Sequence, residues 1–365
     1  MKLPVWDIFC QVIDNWGDAG VCWRLAKQLD QQGIHVRLWI DDPSPLTWMN
    51  TSDTQVEIIR WKNPIAQLVP GQVLVEAFGC HAPESFLMQA SKQPLPPVWI
   101  NLEYLSAQKY AENSHGLPSP QYAGPARGLT RWFYYPGFTS KTGGLLREPD
   151  LHKQQQSFNP VLWFKQNHLP VIPHAQCISL FCYDNHALPA LLEQWQQNTS
   201  PVHLLVTPGA TAEAVNRILR EPFSTACKSP PCTQTYNQLT ITWLPYLTQQ
   251  DFDHLLWSCD INFVRGEDSW VRAIWAGKPF IWQPYIQDDG EHLHKLEAFL
   301  ALVPQAPLSW LMFERQWVSQ NAPDWPSLQN SLPDASYALN RLKLALEEQP
   351  DLATQLLKFA AVKTL

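Results

Sequence analysis

Apolar residues along this chain fall mainly in short runs parted by polar turns, the pattern of strands buried on both faces. Val5 to Ile13 is the first run. The loop Asp14-Asn15-Trp16-Gly17-Asp18-Ala19-Gly20 follows, then Val21 to Leu29, where the apolar spacing is helical and Gly33 marks the stop. His35 to Ile40 is the next strand. Strand, helix, strand in that order make a βαβ unit, which requires a parallel sheet. Val56 to Arg60, Val73 to Glu76 and Val98 to Leu102 extend it. Residues 113–172 break the rhythm: Pro and Gly are frequent and apolar periodicity is poor, so an irregular linker is expected. Alternation resumes with strands at Cys177 to Tyr183, Val202 to Val206, Leu239 to Leu244 and Ile261 to Val264. Helices are expected at Leu188 to Trp195 and around Asp251 to Cys259. Ala335 to Glu347 and Leu352 to Val362 read as helical.

The pattern predicts an α/β fold of two Rossmann-like parallel-sheet domains. The first covers residues 1–172 and takes in the closing helix at about 348–365; the second covers residues 173–347. Parallel sheets bind ligands at the carboxyl ends of their strands. The loop at 14–20 and the turn at 265–269 both follow strands in this way. Two such domains facing one another across a cleft are the layout of a GT-B glycosyltransferase.

The turn Arg265-Gly266-Glu267-Asp268-Ser269 is the most informative segment. It lies between a strand and a short amphipathic stretch that halts at Gly277-Lys278-Pro279, before the strand Phe280-Ile281-Trp282. Asp268 or Ser269 is placed to cap the helix, and Gly277 to end it. A helix start offers free N–H groups and a positive dipole end; with Arg265 beside them, a diphosphate fits. The carboxylates of Glu267 and Asp268 suit the hydroxyls of a ribose or sugar instead.

Other candidates are weaker alone. Asp14 and Asp18 flank the turn after the first strand, where one could act as a general base, or Asp18 could simply cap a helix beginning near Gly20. Phe181 and Tyr183 share one strand face, as core packing or as a wall for a base or sugar. Gln249 and Phe252 open a helix, an amide and a ring suited to a nucleobase. Asp288, Asp289, Glu291, His292 and His294 crowd one loop, but their spacing matches no metal site, so a solvated helix start is expected. Dinucleotide, Walker and nucleophile-elbow signatures do not occur, which disfavours a nicotinamide-dependent oxidoreductase.

Composition narrows the classes. The 365 residues are 45% hydrophobic, enough for two cores. A net charge of −7 and a pI near 5.9 argue against a nucleic-acid partner. No apolar stretch is long enough for a membrane span, and Met1-Lys2-Leu3-Pro4 runs directly into a strand, so a soluble cytoplasmic protein without membrane association is expected. Of the 8 cysteines most lie in apolar runs as small core residues, with Cys227 and Cys232 in a Pro-rich loop; none forms a Cys-x-x-Cys pair. The 18 tryptophans could stack on sugars, but core filling is the more ordinary use of each.

Two blocks carry a family resemblance. The segment from Cys10 to Ala26, with its core Asp14-Asn15-Trp16-Gly17-Asp18-Ala19-Gly20, resembles the N-terminal signature of the bacterial elongation factor P arginine rhamnosyltransferases, and Phe263 to Ala273 resembles their C-terminal one. The family more often has phenylalanine where Trp16 and Trp270 stand. The resemblance implies a GT-B fold and metal-independent, inverting transfer of rhamnose from TDP-β-L-rhamnose to one arginine of elongation factor P, which serves ribosomes stalled at polyproline. By match, Asp14 and Asp18 are the catalytic acids. Asn15, Gly17, Phe181, Tyr183, Gln249, Phe252, Arg265, Glu267, Asp268 and Ser269 are the donor-binding residues. The alternatives are a GT-B enzyme using another sugar or acceptor, and a nucleotide-sugar-binding protein without catalysis.

Overall fold

The structure, a computed structural model, describes residues 4–13, 17–49, 54–61, 69–219 and 229–364. The chain divides into two compact units, residues 1–148 with 346–365, and residues 149–345.

The first unit is built on a seven-stranded sheet. Its strands are β1 (Val5–Cys10), β2 (His35–Ile40), β3 (Glu57–Arg60), β4 (Val73–Ala77), β5 (Val98–Leu102), β6 (Pro118–Pro120) and β7 (Thr130–Tyr134). They are arranged β3-β2-β1-β4-β5-β7-β6, and all pairings are parallel except β6 with β7. Helices α1 (Gly17–Gln31), α2 (Leu46–Met49), α3 (Glu84–Ser91) and α4 (Lys109–Ser114) lie in the connections. From β1 the chain winds outward through β2 and β3, then returns to place β4 on the other side of β1. The topological switch point, where α/β sheets bind ligands, is therefore beside the end of β1. Fully buried Asp7 ties this half together: it accepts from Arg37 Nε and Nη2 (both 2.7 Å), Trp39 Nε1 (2.8 Å) and the Gly71 N–H (2.7 Å). Gly71 must be glycine there, because a Cβ would stand 2.2 Å from the Val5 carbonyl oxygen.

The second unit holds α5 (Leu151–Ser157), α6 (Pro160–Gln166), β8 (Gln176–Leu180), α7 (Leu188–Gln196), β9 (Val202–Val206), α8 (Ala210–Leu219), β10 (Cys232–Tyr236) and β11 (Leu239–Trp243). Next come α9 (Gln249–Ser258), β12 (Ile261–Arg265), α10 (Asp268–Ala276), β13 (Phe280–Gln283), α11 (Glu291–Leu300), α12 (Leu308–Val318) and α13 (Trp325–Glu347). Its six-stranded sheet runs β10-β11-β9-β8-β12-β13, parallel except for β10. Here the switch point lies between β8 and β12. The last helix, α14 (Leu352–Thr364), buries Leu352, Ala353, Leu356 and Ala360 in the core of the first unit.

Three features differ from the sequence reading. The stretch 113–172 is not without regular structure: β7 continues the parallel sheet beside β5, and α5 and α6 are helices. Thr130-Arg131-Trp132-Phe133-Tyr134 is β-prone, but the prolines and glycines around it hide so short a strand. β8 ends at Leu180, short of Phe181 and Tyr183. The edge strand β10, half-exposed and polar, carries no apolar run to betray it. Most of the described tryptophans serve the cores: Trp23, Trp39, Trp195, Trp270, Trp310, Trp317 and Trp325 are among the largest fully buried side chains. Among the described residues no helix is long and apolar enough to cross a membrane.

Candidate active site

In the second unit the candidate residues gather at the carboxyl ends of β8, β12 and β13, at the switch point. Gly266, at φ +62°, lets the chain leave β12 in a left-handed turn. α10 starts at once and ends at Gly277, left-handed at φ +67°, as its sequence requires. Its start corrects the expected cap. Glu267 occupies the cap position without a side-chain cap bond, and neither Asp268 nor Ser269 plays that part. The Ser269 hydroxyl turns back to Arg265, accepting its N–H at 3.0 Å and donating to its carbonyl. It is buried and locks the turn that carries Arg265. Glu267 and Asp268 are half-buried at the helix start.

Arg265 is 8% exposed. Its Nη1 donates to the Cys182 carbonyl at 3.2 Å, and its guanidinium carbon lies 4.4 Å from the Phe181 ring centre and 4.6 Å from that of Tyr183. Phe181 and Tyr183 therefore do meet at one place. They do so on the loop beyond β8 and not on a strand face, with Arg265 as their common neighbour. Phe252, on the first turns of α9, stacks edge-on against Phe181 at 5.6 Å, and buried Gln249 opens that helix. Thr248 caps it by accepting the Asp251 N–H. Among the described residues no carboxylate comes within 4.0 Å of the Arg265 guanidinium. A cation this buried, flanked by rings and set beside a helix start, is arranged to receive an anion.

The loop after β8 is held from both sides. Thr211 bonds both polar atoms of Cys182, taking its N–H at 3.1 Å and giving its hydroxyl to the carbonyl at 3.0 Å. Gln283 Oε1 accepts the Tyr183 N–H at 3.0 Å. Sequence reading missed both Thr211 and Gln283, since each reaches the loop only through strand order. Behind the site Trp270 of α10 stacks on Trp282 of β13 at 3.6 Å, and Trp282 Nε1 donates to the Gly266 carbonyl at 2.8 Å.

In the first unit α1 begins at Gly17, earlier than expected. Buried Asp18 is consequently in the first turn and is not the cap of a helix beginning near Gly20. One carboxylate oxygen accepts the Ile13 N–H at 3.0 Å, tying the first turn of α1 to the chain that leaves β1 at that sheet's switch point. Asp41, from the end of β2, accepts the neighbouring Val12 N–H. Asp14 and Asn15 lie outside the described residues. The acidic loop 288–294 is a helix start, with Asp289 accepting the Glu291 N–H and His294 on Glu291 at 3.1 Å. Among the described residues no group of three or more such side chains could hold a metal ion.

Comparisons with known proteins bear on the family and the fold. The model of the Elongation-Factor P (EF-P) rhamnosyltransferase EarP matches residues 6–361. The protein-arginine rhamnosyltransferase of Pseudomonas putida is 40% identical, the match covering 97% of this chain and 98% of that one. Its namesake from Pseudomonas aeruginosa is 38% identical, over 98% of each. A solved structure presented as the basis for EarP-mediated arginine glycosylation of translation elongation factor EF-P is 30% identical, with a TM-score of 0.69 over 98% of this chain and 99% of the other. The glycosyltransferase VinC, solved with DTDP, shares the fold at 12% identity, with a TM-score of 0.53 over 98% of this chain and 99% of that one. The fold is GT-B, and the chain belongs to the EarP family of protein-arginine rhamnosyltransferases.

Proposed function

We propose that this enzyme moves rhamnose from TDP-β-L-rhamnose to one arginine side chain of translation elongation factor P, in the cytoplasm, with inversion to an α-linked product. The observation that carries the donor half is Arg265: a nearly buried guanidinium with no carboxylate in reach among the described residues, at the switch point of the second sheet. A nucleotide diphosphate supplies the missing charge. Phe181, Tyr183, Phe252 and Gln249 surround the base and sugar; Glu267, Asp268 and Ser269 complete the turn. Relatives named for arginine rhamnosylation, and one solved for work on EF-P, support the sugar and the acceptor.

The acceptor chemistry needs the acids of the first unit. A guanidinium is fully protonated at neutral pH and its lone pairs are delocalised, so it is a poor nucleophile. A carboxylate bonded to it orients one nitrogen and takes its proton as that nitrogen attacks the sugar C1. The C1–O bond to TDP breaks, and the electron pair leaves with the diphosphate. Asp14 is the proposed base, with Asp18 holding the other side of the group; Asn15 and Gly17, beside them in sequence, help seat the donor. Arg265 and the positive end of α10 stabilise the departing charge, so this chemistry draws on no metal ion.

The test is intact-mass spectrometry of elongation factor P after incubation with the protein and TDP-rhamnose. The expected result is a gain of one rhamnosyl group, mapped to a single arginine. An unmodified factor overturns the reading.

A further inference from the structure

Gln283 is the last residue of β13 and is 1% exposed. Its register partner on β12 is Arg265, so the two side chains leave the sheet on the same face. Together they hold a single peptide group. Arg265 Nη1 donates to the carbonyl of Cys182, and Gln283 Oε1 accepts the N–H of Tyr183. An N–H can be met only by an acceptor. That contact therefore sets the orientation of the amide, with its oxygen toward Tyr183 and its NH₂ turned away. This Nε2 is buried and has no hydrogen-bond partner among the described residues. Buried donors are rarely left unmet in native proteins, and Gln283 lies among the candidate donor-site groups: Arg265 is its register partner, its Oε1 holds Tyr183, and its carbonyl accepts the N–H of Gly266 in the turn before α10.

We infer that Gln283 donates its amide N–H to a diphosphate oxygen of the nucleotide-sugar donor. The inference rests on the donor site described under the proposed function. One peptide is gripped by Arg265 and Gln283, and the N–H groups these side chains have left over converge on the same anion. Gln283 thus makes the loop after β8 and the diphosphate depend on each other: the amide is aimed by Tyr183 and spent on the phosphate.

The experiment is calorimetric titration of TDP, and of thymidine by competition, into the wild type, Gln283→Glu and Gln283→Met. The Glu variant keeps an acceptor for the Tyr183 N–H and loses the donors. The Met variant loses the donors without adding charge. Both are expected to bind TDP roughly tenfold to hundredfold more weakly, the usual range for a hydrogen bond to a charged group, with thymidine binding unchanged in the Glu variant. Unchanged TDP affinity in the Met variant overturns the inference, because a loss confined to Glu is charge repulsion. Equal losses for TDP and thymidine in both variants also overturn it, since Gln283 then only positions Tyr183. A Glu variant that fails to fold leaves the decision to Met, read by the ratio of its two losses. A wild type without TDP affinity sinks the donor reading and this inference together.

Discussion

Arg265 shows how one candidate binding side chain is held in place. The strand end delivers it, Ser269 pins its backbone, and Phe181, Tyr183 and the Cys182 carbonyl fix its guanidinium. Arg265→Ala should weaken TDP binding by about one to two orders of magnitude, as expected for lost charge-assisted bonds. Arg265→Lys should not restore it, because a compact ammonium cannot stay against both rings and reach the carbonyl while offering further N–H groups, as a guanidinium can. Calorimetry checks both, and an unchanged affinity removes Arg265 from the site. Asp14→Asn should abolish transfer and leave TDP affinity nearly intact; a fully active variant would refute the assignment of the base. Arg265 was legible in the sequence because its signals are local: a strand, a charged turn, a helix and a glycine stop in unbroken order. The role of Ser269 was not, because a hydroxyl beside a helix start can cap forward or bond backward, and the left-handed turn at Gly266 decides between them. Gln283 was illegible for a different reason. Its partner Tyr183 is remote in sequence and becomes a neighbour only when β12 pairs with β8 on one side and β13 on the other.

At the scale of elements, α10 is the piece that couples site to core. Its buried face carries Trp270 onto Trp282, and its end is set by Gly277, whose carbonyl accepts from Asn340 Nδ2 of α13. A Cβ at Gly277 would meet Asn340 Oδ1 at 2.9 Å, in a left-handed conformation that L residues avoid. Gly277→Ala should therefore cost roughly 1–2 kcal/mol, from backbone strain alone if Asn340 swings aside. Chemical denaturation of the variant gives the number; a midpoint equal to the wild type's would show the left-handed stop to be dispensable. Helices and central strands of this kind announce themselves through apolar runs and glycine stops. β6, β7 and β10 do not. β6 is Pro-Ser-Pro at an edge, β7 sits inside a Pro- and Gly-rich stretch, and β10 leaves most of its side chains half in water. Strand pairing, not local pattern, makes them strands.

Across the second unit as a whole, two buried titratable groups pull stability in opposite directions with pH. His203, on β9 and bonded across to Thr242 of β11 at 2.8 Å, is held neutral: burial lowers its pKa from 6.5 to about 4. The unfolded chain takes up that proton first. The stability His203 confers is thus complete above pH 6.5 and is lost as pH falls toward about 4, by roughly 3 kcal/mol in all. Glu314 has the opposite sign. Burial raises it well above its usual 4.5, against the pull of the Trp282 N–H it accepts. Its contribution is present below pH 4.5 and drains away as pH rises. Glu314→Gln keeps an acceptor for Trp282 and removes the proton, so the wild type should lose stability relative to this variant as pH climbs above 4.5. His203→Gln should do the reverse, the wild type losing ground to it as pH drops from 6.5 to 4. Thermal unfolding of the three proteins at matched ionic strength, plotted as differences, separates the two slopes. Difference curves flat in pH would mean that neither proton is linked to folding. If they slope in these directions, acid and alkali loosen the second unit through different side chains. Glu314 is then the one to change for a protein kept on the alkaline side.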